Sequence, residues 1–268
     1  MSSLSKLFGV ASLAVLIASC GGGGGGGGGS SGGGTTPPIA NAAVGGIWSG
    51  RDPISGANVL GVVSEDGRAQ FAIFDGGYPT QYWGTLSTNG NSVTSSNFQV
   101  ADDLTYFGTA TISGTISARQ SLNLTISFTP AAGCAASVCG TARTASGTLT
   151  FSTLYNRGGS LSRVAGNWRD VGTGQIYNIN ASGVVFLQDA VTGCFVNGQV
   201  STINTNFNAY SATYTFTNCR IPYTALNNTT ATGLVTVDDV VTPNRIFLGA
   251  QYRASGVTYT VYGEATKT

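Results

Sequence analysis

Strict alternation of apolar and polar residues constrains this chain more than any other feature. Ala110, Ile112, Gly114 and Ile116 alternate with Thr109, Thr111, Ser113, Thr115 and Ser117. Leu122, Leu124, Ile126 and Phe128 alternate with Asn123, Thr125 and Ser127. Tyr210, Ala212, Tyr214 and Phe216 alternate with Ser211, Thr213, Thr215 and Thr217, and Val257, Tyr259 and Val261 with Thr258 and Thr260. A period of two makes strands with one buried face and one wet face. Ser and Thr on the outer face call for water there, not lipid.

Turn signals cut the chain at even intervals. Glu65-Asp66-Gly67, Asp75-Gly76-Gly77, Asn89-Gly90, Ser182-Gly183 and Ser255-Gly256 supply residues that tolerate positive φ. The pattern predicts eight strands near 45–51, 57–64, 68–75, 80–88, 91–100, 106–117, 120–128 and 145–155. It predicts eight more near 166–170, 174–180, 182–188, 193–203, 207–218, 229–238, 244–252 and 255–265. Eight antiparallel strands in about 110 residues suit a closed up-and-down barrel, because closure removes aggregation-prone edges. The expected fold is all-β: two tandem antiparallel eight-stranded up-and-down barrels, over 45–160 and 161–268. A pair of β-sandwiches is the alternative.

The two halves repeat each other. Gly46-Ile47-Trp48 parallels Gly166-Asn167-Trp168, and Arg51-Asp52 parallels Arg169-Asp170. Gly84-Thr85-Leu86-Ser87-Thr88 parallels Gly198-Gln199-Val200-Ser201-Thr202, and Gly114-Thr115-Ile116-Ser117 loosely parallels Gly233-Leu234-Val235-Thr236. This is the signature of an internal duplication.

The chain opens differently. Lys6 is followed by the short apolar run Leu7 to Ile17, then Leu16-Ile17-Ala18-Ser19-Cys20 and an almost pure glycine stretch to Gly34. A basic start, a short apolar core and small residues at its end read as a secretory signal. Residues 16–20 resemble the bacterial lipobox. The resemblance implies a signal peptide over 1–19, acylation of Cys20 with diacylglycerol and a further acyl chain such as palmitate, and anchoring in the lipid bilayer. Residues 20–44 then form a flexible tether with a reach of roughly 20–30 Å. Gly21 is not the aspartate that resembles the inner-membrane retention signal, so the expected location is the outer membrane. The face it occupies, periplasm or cell surface, stays open.

Outside the cytoplasm, the other four cysteines should pair. Cys194 opens one expected strand and Cys219 closes the next, so folding that hairpin about Asn206-Phe207 sets them opposite each other. Cys134 and Cys139 should close a small loop between Phe128 and Gly147. A four-thiolate zinc site lacks the spacing of two short pairs, so no metal and no cofactor is expected.

Gly46-x-Trp48 and Gly166-x-Trp168 resemble the Gly-x-Trp opening of lipocalins and their calycin relatives. That likeness implies that each Trp plugs one barrel end, with Arg253 over Trp168; the Thr-Asp-Tyr turn of lipocalins is missing. The plan of acylated cysteine, glycine tether and β-domains resembles surface lipoproteins of the transferrin-binding and factor-H-binding type, and bacterial secreted lipoproteins with paired β-repeats.

Composition narrows function. The chain has 12 Lys or Arg against 11 Asp or Glu, so electrostatic binding to nucleic acid is not expected. It has no histidine, which removes Ser-His-Asp and Cys-His catalysis. Asp102-Asp103 and Asp238-Asp239 are paired carboxylates of the kind glycoside hydrolysis or calcium uses, yet adjacent aspartates point apart and mostly serve turns. Arg51-Asp52 and Arg169-Asp170 read as surface ion pairs. Aromatic residues crowd both repeats (Tyr78, Tyr82, Trp83, Tyr106 and Phe107; Tyr210, Tyr214, Tyr252, Tyr259 and Tyr262) and suit a core or a pocket. The expectation is a non-catalytic binding or interaction lipoprotein for a protein, glycan or small hydrophobic ligand. The alternative is a structural or assembly-accessory envelope lipoprotein.

Overall fold

The computed structural model describes residues 44–268, apart from positions 54, 75–78, 103, 104, 191, 222 and 255. The expected signal peptide, Cys20 and the tether up to residue 43 lie outside the described residues. So do the Asp75-Gly76-Gly77 turn, Tyr78 and Asp103.

The first half contains β1 (Gly46–Arg51), β2 (Asn58–Val63), β3 (Arg68–Phe74), β4 (Thr80–Asn89), β5 (Ser92–Ser95), β6 (Phe98–Ala101), β7 (Tyr106–Ser117), β8 (Ser121–Pro130) and β9 (Arg143–Ser152). β1 to β4 pair antiparallel in order, as do β7 to β9, and β9 returns to β1. β5 and β6 together occupy one place in the ring: both lie between β4 and β7. The strand expected at 91–100 is therefore present but broken by one residue of register shift. Ser95, which ends β5, and Ser96, which follows it, serve the break. The Ile112 amide donates to Ser95 Oγ at 2.6 Å and the Thr85 amide to Ser96 Oγ at 3.1 Å. Hydroxyls replace ladder carbonyls where the bulge has moved them.

The second half closes without a break: β10 (Gly166–Asp170), β11 (Ile176–Ile179), β12 (Val184–Gln188), β13 (Phe195–Thr202), β14 (Tyr210–Thr217), β15 (Thr230–Asp238), β16 (Arg245–Ala254) and β17 (Val257–Lys267). The fold is two closed eight-stranded antiparallel barrels in tandem. Two one-turn helices interrupt the strands, α1 (Ala136–Cys139) and α2 (Leu161–Val164).

The repeat is visible in individual bonds. Trp48 Nε1 donates to the Val44 carbonyl at 3.1 Å, and Trp168 Nε1 to the Val164 carbonyl at 2.7 Å. The Leu86 amide donates to the Gly67 carbonyl and the Val200 amide to the Gly183 carbonyl. A Cβ on Gly84 would stand 2.4 Å from the Phe98 ring, and one on Gly198 would stand 2.4 Å from the Tyr214 ring. In both barrels, fourth-strand glycine makes room for a fifth-strand aromatic ring that covers it.

The Arg-Asp pairs are not ion pairs, which corrects the sequence expectation. Asp52 Oδ2 accepts from the Ser55 amide and hydroxyl, both at 2.8 Å. Asp170 Oδ1 accepts from the Thr173 amide at 2.6 Å and its hydroxyl at 2.7 Å. Arg51 and Arg169 donate instead to the carbonyls of Gly56 and Gly174. A carboxylate two to three residues upstream satisfies turn amides that the ladder cannot reach. Asp189, Thr192 and Gly193 build the same turn before β13.

The barrels lie side by side and share a face. Ile47, Leu60, Val62 and Trp83 point out of the first barrel into a cluster with Ala209, Leu234, Ile203 and Phe207 of the second. Further along, Phe74 meets Tyr262 edge to face at 5.1 Å. The Thr260 amide donates to the Asp102 carbonyl at 3.1 Å, and its hydroxyl to the Ala101 carbonyl at 3.0 Å. Gly249 permits the closest approach: a Cβ there would fall 1.3 Å from Gln70 Nε2. That amide donates to Gln81 Oε1 at 2.6 Å, in a buried layer. Tyr155 bridges the junction, donating to Glu65 Oε1 at 2.7 Å and stacking on Phe207 at 4.9 Å. Asp239 takes Arg157 at 3.0 Å and Arg163 at 2.7 Å, which ties the connecting segment to the end of β15.

Candidate functional site

The two lumens differ. In the first barrel Phe71, Tyr82, Leu86, Phe98 and Leu124 fill the interior, leaving a void of about 30 Å³ for the centre of a water molecule. In the second, the same measure gives about 70 Å³. A single water needs roughly 10–15 Å³ on that scale, so the larger cavity holds several waters' worth of space. Its wall is nearly all apolar, with Leu187, Val196, Leu248 and Val261 among the lining side chains.

Two polar atoms interrupt that wall. Tyr177 on β11 and Tyr214 on β14 both line the cavity. They enter from strands three places apart in the ring. Neither hydroxyl has a hydrogen-bond partner among the described residues. Burial pushes the Tyr177 hydroxyl well above the usual phenol range, and the neighbouring Tyr214 and Asp170 add to the shift. Burial alone raises Tyr214. Asp170 is itself raised, first by burial, and its Oδ2 is buried without a partner among the described residues.

Packed side-chain clusters stand towards both ends of this barrel. At one end Trp168 is fully buried with Val164, Tyr210 and Val237. Tyr210 exchanges hydrogen bonds with the Ser160 backbone at 3.2 Å, which holds α2 across the opening. Trp48 is equally buried in the first barrel, edge-on to Phe151 at 5.4 Å. Arg253 does not cover Trp168. It lies at the opposite end, exposed, with Nε donating to the Gly256 carbonyl. The cation over Trp168 is Lys267, with Nζ 5.4 Å from the ring centre. The register explains the exchange: Trp168 pairs directly with Lys267 on β17, while Arg253 is at the far end of β16.

At that far end the Cys194–Cys219 disulfide packs with Leu226 and Tyr252, and Tyr252 stacks on Tyr259 at 5.4 Å. The pairing is the expected one. The β13–β14 register alone would set Cys194 opposite Asn218. Asn218 adopts φ 53°, which absorbs one residue and brings Cys219 round. Cys134–Cys139 is also formed, closing a five-residue separation around α1.

The acidic pairs part company. Asp239 holds two arginines, and Asp102 Oδ1 accepts from the Thr105 amide at 2.5 Å. No group of three or more candidate metal ligands occurs among the described residues. The cavity residues were legible only as alternating strand positions. Nothing in the sequence separated the open lumen from the filled one. No family model, curated protein or solved structure matches this chain.

Proposed function

We propose that the chain is a membrane-anchored cell-envelope lipoprotein that works as a non-catalytic binding module, with the second barrel as its ligand chamber. The lipobox at residues 16–20 supports the anchor and the outer-membrane location. The single observation that carries the binding role is the apolar cavity of the second barrel, about twice the volume of the void in a first barrel of the same topology. An eight-stranded barrel is wide enough for one small ligand when its side chains leave room. The first barrel, fused to it over a buried face, serves as the rigid base between tether and chamber. That filled barrel also favours the second reading, a structural or assembly-accessory lipoprotein without a ligand.

Native mass spectrometry of the gently purified protein tests the choice. A discrete excess mass lost on denaturation supports the chamber. Equal native and denatured masses, together with no uptake of added small aromatic hydrocarbons, leave the structural reading.

A further inference from the structure

We infer that the second barrel selects a neutral, largely apolar molecule whose one carbonyl oxygen is held by the hydroxyls of Tyr177 and Tyr214. The inference rests on the chamber reading above and adds the chemistry of the ligand.

Two half-buried tyrosines without protein partners for their hydroxyls line an apolar lumen, so those hydroxyls depend on whatever occupies it. A buried donor left unmade is destabilising, whereas a satisfied one is mildly favourable. A carbonyl oxygen has two lone pairs and can accept from both phenols at once. Its apolar remainder would then lie against Leu187, Val196, Leu248 and Val261.

The charge pattern sets the rest of the specificity. Among the described residues, no Lys or Arg lines the cavity. A carboxylate ligand would bring a bare charge into an apolar chamber with nothing to neutralise it. Asp170 worsens the case. It lies close enough to Tyr177 to disfavour a further negative charge there, and its Oδ2 is buried. The site should therefore reject the anions of small aromatic and aliphatic acids and accept ketones or aldehydes of the same size. A plain hydrocarbon fits the walls but leaves both hydroxyls unpaired. A site built to hydrogen-bond an oxygen discriminates against the analogue that lacks it.

A matched set of three probes tests this by calorimetric titration at pH 7.5 on the full chain carrying Cys20→Ser, which keeps acyl chains off the protein. The probes are acetophenone, ethylbenzene and benzoate. Acetophenone is expected to bind at least about tenfold more tightly than ethylbenzene, and benzoate not to bind. Tyr177→Phe and Tyr214→Phe should each remove several-fold of the acetophenone affinity and leave ethylbenzene unchanged. Both are small changes inside the ring size, and unfolding curves check that the variants fold. Equal binding of ethylbenzene and acetophenone, unaffected by either substitution, keeps the chamber and overturns the carbonyl selectivity. Tightest binding of benzoate also overturns the selectivity. No binding of any probe overturns both.

Discussion

Replacing Trp168 by Phe removes one hydrogen bond and half of an indole from the closed end of the second barrel. The indole N–H is buried and donates to the Val164 carbonyl at 2.7 Å. Phe leaves that carbonyl without its donor, at roughly 1–3 kcal/mol. The smaller ring also gives up roughly 40 Å² of buried apolar contact, which adds about 1 kcal/mol at 25 cal/mol per Å². The expected cost is about 2–4 kcal/mol. Trp48→Phe removes the equivalent bond to Val44 and should cost nearly as much. Trp168 should exceed it by a few tenths, because Lys267 stands over its ring and the cation–π attraction weakens with Phe. Urea unfolding followed by far-ultraviolet circular dichroism measures both, and the remaining tryptophans report tertiary structure. A loss below about 1 kcal/mol in either variant would refute the view that these indoles fasten the barrel ends through their N–H groups.

Three further outcomes follow from the same geometry. Non-reducing peptide mapping should find Cys134 joined to Cys139 and Cys194 to Cys219. Opening the second pair, with a sequence separation of 25, should cost more than opening the first, with a separation of 5; loop-closure entropy gives about 3.5 against about 2 kcal/mol. Gly249→Val should destabilise the chain by roughly 1–3 kcal/mol through collision with Gln70, and Gln70→Ala should recover part of it in a double-mutant cycle. Glu65, Asp170 and Glu264 are all held above the usual carboxylate range, first of all by burial. The folded chain then binds more protons than the unfolded one from the ordinary values of 3.8–4.5 upward, so these groups make stability fall as pH rises. Asp66 is shifted downward and works in the opposite direction below that window. The urea midpoint should therefore be lower at pH 7.5 than at pH 5, and Glu264→Gln should flatten the difference.

Most of the barrel plan was legible because a strand with one wet face alternates in sequence. Val257, Tyr259 and Val261 announce their face, and the turn glycines at 67, 90, 183 and 256 all take positive φ. The shared face between barrels was not read, because strands buried on both sides lose that alternation. Val59-Leu60-Gly61-Val62-Val63 and Gly233-Leu234-Val235-Thr236-Val237 are nearly continuous apolar runs, the signal of double burial. Lys267 over Trp168 was missed for a different reason. Which cation meets a given ring depends on barrel register, and register does not show in residue types alone. The cavity was invisible for the same reason: it reflects how far side chains from eight strands reach across one lumen.

The most direct test of the chamber is to fill it. Calorimetry with ethylbenzene should show saturable one-to-one binding to the full chain carrying Cys20→Ser. Adding Ala231→Leu, which pushes a larger side chain from β15 into the lumen, should abolish that binding while the protein still unfolds cooperatively. Absence of binding before the substitution, or binding that persists unchanged after it, would contradict the account.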